Sequence, residues 1–268
     1  MSGYIALSYW HVALASVFVL INAALSLALD LGIHRRMLIA AVRMVVQLAL
    51  MGLVLVALFS IVSPLLTGLA MLGMALFAGR EIAARQERPL AGWWSYGLGT
   101  VCITTASMLV TVFALTVSLR PQPWYDPRYA VPLLGMILGN AMTGISLGIH
   151  GMTTGLKTRQ AAVEAQLMLG ADRRTALGPV IRQALRSALM PIVNSMSATG
   201  IVALPGMMTG QILGGVAPED AVKYQILIMF LIAGGTGIGA TAAVIGCAYR
   251  LTDARHRLRL DRLAPARK

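Results

Sequence analysis

Hydrophobic positions in this chain neither alternate nor keep to one helical face. They run on in long stretches, with polar residues held mostly at the joints. A bilayer core about 30 Å thick takes about 20 apolar residues of helix. Seven segments qualify: 9–29, 37–59, 61–78, 93–119, 129–151, 188–215 and 224–249. A membrane β-barrel would instead alternate apolar and polar residues in segments of about ten. The pattern therefore predicts an all-α, polytopic transmembrane helix bundle of about seven spans. Only Ser60 to Pro64 separates the second and third segments, which predicts a tight antiparallel hairpin. The first segment starts too near Met1 for a basic leader, and no small-residue cleavage site follows it, so it reads as a retained span.

Composition agrees. Of 268 residues, 57% are hydrophobic and 12% charged, against about 25% charged in soluble domains. Disorder is excluded by the apolar content. The two cysteines, Cys102 and Cys247, lie inside apolar runs and offer no disulfide framework. A net charge of +12 would suggest nucleic acid in a soluble protein, but its distribution says otherwise. Alternate joints hold 18 of the 22 basic residues: Arg35 and Arg36; Arg80, Arg85 and Arg88; the stretch 152–187; and the tail 250–268. The opposite joints hold Arg120, Arg128 and Lys223. By the positive-inside rule, 152–187 and the C-terminus are cytoplasmic and the N-terminus is outside. The expected organisation is one transmembrane domain over 1–268, a cytoplasmic loop at 152–187 and a basic cytoplasmic tail at 250–268. Membrane lipids, not nucleic acid, are the expected partners of the tail arginines Arg250, Arg255, Arg257, Arg259, Arg262 and Arg267 and of Lys268.

The membrane interior is chemically sparse. All ten acidic residues map to joints or span ends, whereas a proton- or sodium-driven transporter usually carries a carboxylate at mid-membrane. Arg43 is the clear intramembrane charge; it either snorkels to the interface or lines a polar cavity. In the fifth segment, Gly135 and Gly139 form one small-residue pair at helical spacing, and Gly144 and Gly148 another. Asn140 between them reads as a buried amide in need of partners. The sixth segment is 28 residues, about 42 Å if helical. Near its end, Leu204-Pro205-Gly206-Met207-Met208-Thr209-Gly210-Gln211 predicts a helix break. Non-helical backbone at membrane depth is tolerated against protein or a water-filled cavity. Asn140, Pro205, Gly206, Met207, Met208, Thr209 and Gln211 are therefore candidates for a substrate path, with helix packing and a simple kink as the plain alternatives. Gly235-Thr236-Gly237-Ile238-Gly239-Ala240 matches a dinucleotide fingerprint only formally: the motif needs a strand before it and a helix after it. At mid-span it reads as helix packing.

The longest polar stretch predicts a short helix over 161–169, a glycine stop at Gly170, and a second helix from about Arg173 leading into the sixth segment. Within it, Glu164-Ala165 followed by Leu169-Gly170-Ala171 resembles the E-A-A…G motif of ABC transporter permeases. Across essentially the whole chain, Pro132 to Asn140, Glu164 to Ala171, Leu204 to Gln211 and Tyr224-Gln225-Ile226…Met229-Phe230 resemble the FetB-like permeases associated with bacterial iron export.

That resemblance implies an inner-membrane transport subunit rather than an enzyme, paired as a homodimer with a separate ATPase subunit. Glu164, Ala165, Leu169, Gly170 and Ala171 would form the coupling helix that fits a cleft on that partner. ATP would be bound there and no cofactor by this chain. The residues agree on one point: a phosphate-binding loop needs G-x-x-x-x-G-K-[ST], and none of Lys157, Lys223 or Lys268 follows a glycine. The expected cargo is iron or another metal species. No metal-ligand spacing is visible, however, and the thioethers of Met207 and Met208 suit softer metals than iron. A stand-alone secondary transporter, or a permease for a non-metal solute such as a sugar nucleotide, is the alternative.

Overall fold

The computed structural model describes residues 8–253 and 255–265, and the described residues form helices and no strands. The first three helices are α1 (Tyr9–Ala28), α2 (His34–Ser60) and α3 (Pro64–Ala84). Next comes α4 (Trp94–Phe113), which widens into a π-helical end at Ala114–Leu119. Then follow α5 (Pro127–Thr158), α6 (Gln160–Met168), α7 (Arg173–Ala198), α8 (Gly206–Leu213) and α9 (Pro218–Arg250). Local chemistry marks the starts. Pro64, Pro127 and Pro218 occupy first-turn positions, where the missing N–H costs nothing. The Asp126 carboxylate accepts from Arg128 N–H at 2.9 Å to cap α5. The predicted short joint is present, with only 61–63 between α2 and α3, but the two helices do not pack closely along their length as a tight hairpin would.

Close contacts give the directions. Gly79 of α3 abuts Thr100 of α4, and Gly99 abuts Ile82, so these helices are antiparallel. Gly144 and Gly148 of α5 meet Thr236 and Val244 of α9, which makes that pair parallel. Gly151 and Gly155 of α5 meet Ala184 and Val180 of α7, which runs the other way. Gly235 and Gly239 pack on Ile137 and Ile145, so the glycine-rich run of α9 is packing, as expected. Of the two small-residue pairs in α5, Gly144 and Gly148 both press on neighbouring helices, whereas in the other pair Gly135 meets only the Met74 side chain of α3 and Gly139 meets nothing. α5 and α9 form the centre, while α1 and α2 lie at the periphery with few buried residues.

Six unbroken helices among those described are long and apolar enough to cross a membrane. The seventh predicted span is corrected: 188–215 is not one helix. It is divided between the second half of α7, an irregular segment and α8. Since α5 and α9 are parallel and in register, the chain between them must still traverse the bundle. α7 and α8 make that crossing in two pieces. α5 and α9 are also longer than predicted, at 32 and 33 residues, or about 48 and 50 Å.

The directions bring the end of α3, the start of α4, the end of α5, α6, the start of α7 and the end of α9 together at one basic end. The stretch 152–187 comprises the last turns of α5, all of α6 and the first half of α7. The tail folds back. Ala91 N–H donates to Arg262 O and Ala264 N–H to Pro89 O, each at 2.8 Å. Leu258, Leu260 and Leu263 pack against the core. Arg257 pairs with Asp253 and Arg259 with Asp261, so part of the tail charge is neutralised within the tail. Arg267 and Lys268 lie outside the described residues.

Candidate coupling surface and substrate path

α6 is short because both its ends are specified locally. Only Arg159 separates it from α5. At its C-terminus Gly170 adopts φ +87°, a left-handed conformation that costs an ordinary residue energy. Gly170 N–H donates to Leu167 O at 3.1 Å and Ala171 N–H to Gln166 O at 3.0 Å, the Schellman arrangement that ends a helix. The Asp172 carboxylate then caps α7 by accepting from Thr175 N–H at 2.9 Å. Hydrogen bonds from Thr175, its hydroxyl first and its backbone second, hold the Asp172 carboxyl below the usual carboxylate range; His256 and Arg174 add smaller charge effects.

The predicted coupling residues divide by face. Val163 is buried and Leu167, one turn on, packs against the core. These two fasten α6 to the bundle. Glu164 is half-buried and accepts from Gln160 Nε2 at 2.9 Å. Ala165, Leu169 and Gly170 are exposed, and Ala171 is half-buried. Met168, which the motif does not include, is 83% exposed beside Leu169 at 88%. Two large apolar side chains thus project from the basic end of the bundle. The four-residue spacing of Val163 and Leu167 was the signal that α6 has an inner face and an outer one.

The break in the candidate path runs over 199–205. α7 ends at Ala198, Gly200 adopts φ +92°, and Gly200 N–H donates to Ala203 O at 2.9 Å. Pro205 is the cap of α8 and Gly206 its first residue, so the pair starts a helix instead of kinking one. Ile201 and Val202 in the break are 92% and 83% exposed. On α8, Met207 packs partly against the core, Met208 and Gln211 are half-buried, and Thr209 donates its hydroxyl to Pro205 O at 3.2 Å. The Gln211 Oε1 atom is buried without a hydrogen-bond partner.

Asn140 is corrected: it is exposed, and its Nδ2 donates to Met136 O one turn back at 2.9 Å. It lies on an outward stripe of α5 with Gly139 and Thr143, and Thr143 donates to Gly139 O at 3.2 Å. Since α7 is antiparallel to α5 and Ala188 lies beside Gly144, exposed Asn194 and Ser195 come roughly level with Asn140. α8 packs against α9, so the candidate path residues are spread over two faces, not gathered in one pocket.

Arg43 neither snorkels alone nor lines a cavity: it pairs with Glu81 of α3 and stacks over Phe77 at 5.3 Å. Sequence gave no sign of this partnership, which joins positions 38 residues apart. Arg173 at the head of α7 stacks on Tyr249 at 4.0 Å, and Arg250 stacks on Trp94 at 4.4 Å. Among the described residues, no group of three or more His, Cys, Asp or Glu could hold a metal ion.

Comparison with known proteins supplies the lineage. The model of the uncharacterised protein family UPF0014 matches residues 9–252. The UPF0014 membrane protein slr1647 of Synechocystis is 37% identical over 86% of this chain and 89% of its own length. Protein ALUMINUM SENSITIVE 3 of Arabidopsis thaliana is 32% identical over 88% and 84%. The protein named "Probable iron export permease protein FetB" of Escherichia coli is 29% identical over 94% and 95%. No solved structure matches the chain. The helical membrane bundle, the match along almost its whole length and the curated relatives agree: this chain is a multi-pass membrane protein of the UPF0014 family.

Proposed function

We propose that this chain is the permease subunit of an ATP-driven ABC transporter in the bacterial inner membrane, with its N-terminus outside and its C-terminus in the cytoplasm. Two copies work with two separate ATPase subunits to export iron or another metal species. The observation that carries this reading is α6. A nine-residue helix that carries Glu164-Ala165 and is stopped by Gly170-Ala171 is held at the basic end by Val163 and Leu167, with Met168 and Leu169 presented outward. Such a knob suits a cleft on a partner. The sequence has no phosphate-binding loop of its own, so ATP supplies the state-dependent binding energy from that partner.

The stripe of Gly139, Asn140 and Thr143 with Asn194 and Ser195 supports a second copy. Amides and hydroxyls exposed at membrane depth are costly against lipid, and a polar cavity between two copies would accommodate them. The iron assignment rests on the name of the Escherichia coli relative. The stripe on α5 and α7 is neutral, made of amides and hydroxyls, with Met207 and Met208 apart from it on α8, which favours a complexed metal over a bare cation and also suits an organic solute such as a sugar nucleotide.

The test is reconstitution with the ATPase subunit and measurement of ATPase stimulation across metal ions, metal chelates and sugar nucleotides. Stimulation by a metal species supports the reading. Glu164→Lys should leave the protein inserted and abolish that stimulation. Uphill transport by this chain alone in liposomes, or full transport by Glu164→Lys with normal partner binding, would overturn it.

A further inference from the structure

A large open cavity among the described residues lies apart from both surfaces described above. It is an open groove of about 950 Å³ lined by Gly73, Leu76, Phe77 and Arg80 of α3, by Gly92 and Trp93 of the turn before α4, and by Tyr96. The α3 residues fall at i, i+3, i+4 and i+7, so they form one face running along the helix axis. From Gly73 to Arg80 is seven residues, about 10 Å of rise. The floor is apolar, and neither Gly73 nor Gly92 would bring a Cβ within 4 Å of any neighbour. Trp93 and Tyr96 meet edge to face at 6.1 Å at the basic end of the groove.

The charge arrangement selects the occupant. Glu81, the carboxylate next to the groove, is taken by Arg43, which lies over Phe77. Arg80 has no ion pair among the described residues and is exposed. The groove thus runs along the span, apolar over its length, with an uncompensated guanidinium at the basic membrane interface and an aromatic belt pair beside it. An amphiphile with its apolar chain parallel to α3 and an anionic head on Arg80 matches each feature. We propose that this groove is a binding site for one anionic phospholipid, its phosphate on Arg80 and an acyl chain over Gly73, Leu76 and Phe77.

Trp93 lines the groove and can report occupancy. With Trp10, Trp94 and Trp124 replaced by Phe, Trp93 is the sole indole. The full chain is reconstituted in phosphatidylcholine vesicles containing an equal small fraction of either doxyl-labelled phosphatidylglycerol or doxyl-labelled phosphatidylcholine. The expected result is roughly fivefold stronger apparent association of the anionic lipid, the preference one interfacial cation supports. Arg80→Gln should bring the ratio to about one. Gly73→Leu should weaken quenching by both lipids while keeping the charge; if that variant does not insert, Arg80→Gln decides alone. Arg88→Gln, on a neighbouring residue outside the groove, should leave the preference intact. Equal quenching by both lipids with Arg80 in place overturns the proposal. So does an equal loss of preference in Arg88→Gln, which would mean diffuse surface attraction, and so does a Trp93 reached by neither lipid, which would mean that protein covers the groove.

Discussion

The contact between α3 and α4 gives the sharpest prediction. At Gly79 an added Cβ would lie 2.8 Å from Thr100 Cβ and 2.9 Å from Thr100 Cα, besides overlapping the hydroxyl. Rotating Thr100 can move the hydroxyl but neither carbon. Carbon atoms rest at about 3.5–4.0 Å, so Gly79→Ala forces the helices apart by about 0.7–1.2 Å. A gap of about 0.5–1 Å forfeits a quarter to a half of each neighbouring dispersion contact, and overpacking typically costs about 1–3 kcal/mol. Against that, alanine in a helix interior gains about 0.8–1 kcal/mol over glycine. The net expectation is a loss of up to about 2 kcal/mol, or up to about 30-fold in the ratio of folded to unfolded protein. Gly68, also on α3, would meet nothing within 4 Å, so Gly68→Ala should gain up to about 1 kcal/mol. Unfolding in mixed micelles titrated with dodecyl sulfate, followed by tryptophan fluorescence, measures both. If the two variants shift the midpoint in the same direction by the same amount, the close approach of α3 and α4 is not what makes position 79 intolerant.

Three further expectations concern the basic end. Gly170 has open space around it but φ +87°, so Gly170→Ala carries a backbone cost of about 1–2 kcal/mol. Hydrogen exchange over 160–171 should accelerate about 5–30-fold, and less in Gly170→Asn, since asparagine enters that region more readily; equal rates in both variants would contradict a conformational role. The Asp172 carboxyl is held below its ordinary value of 3.8 in the folded state, so its contribution is present above that pH and is lost as pH falls through the lowered value. Exchange protection at the start of α7 should drop in acid, and Asp172→Asn, which caps without titrating, should flatten that dependence. Leu258 and Leu260 are half-buried against the core; replacing both with Ala should lower the melting temperature in detergent, and an unchanged temperature would mean that the tail contributes nothing to the fold.

What the sequence determined by itself is what depends on neighbours along the chain. Whether 20 residues can cross a bilayer is a sum over those residues, so six spans, the short 61–63 joint, the Gly170 stop and the start of α7 near Arg173 were all legible. The break in the sixth segment was legible as an event, because Pro205 and Gly206 announce it, but not in its extent: the helix already ends at Ala198, seven residues before Pro205. Tertiary structure alone decided what each apolar helix faces. A helix that is apolar all round carries no stripe to say which side is inward. So Asn140 turns out exposed and Gly139 open, while Gly144 and Gly148 are close contacts of α5 with its neighbours. The same holds for Arg43 with Glu81, for the tail folded onto 89–91, and for the groove beside Arg80. Each joins residues far apart in the chain, and the energy of such a pairing depends on a three-dimensional closeness that local hydropathy does not encode.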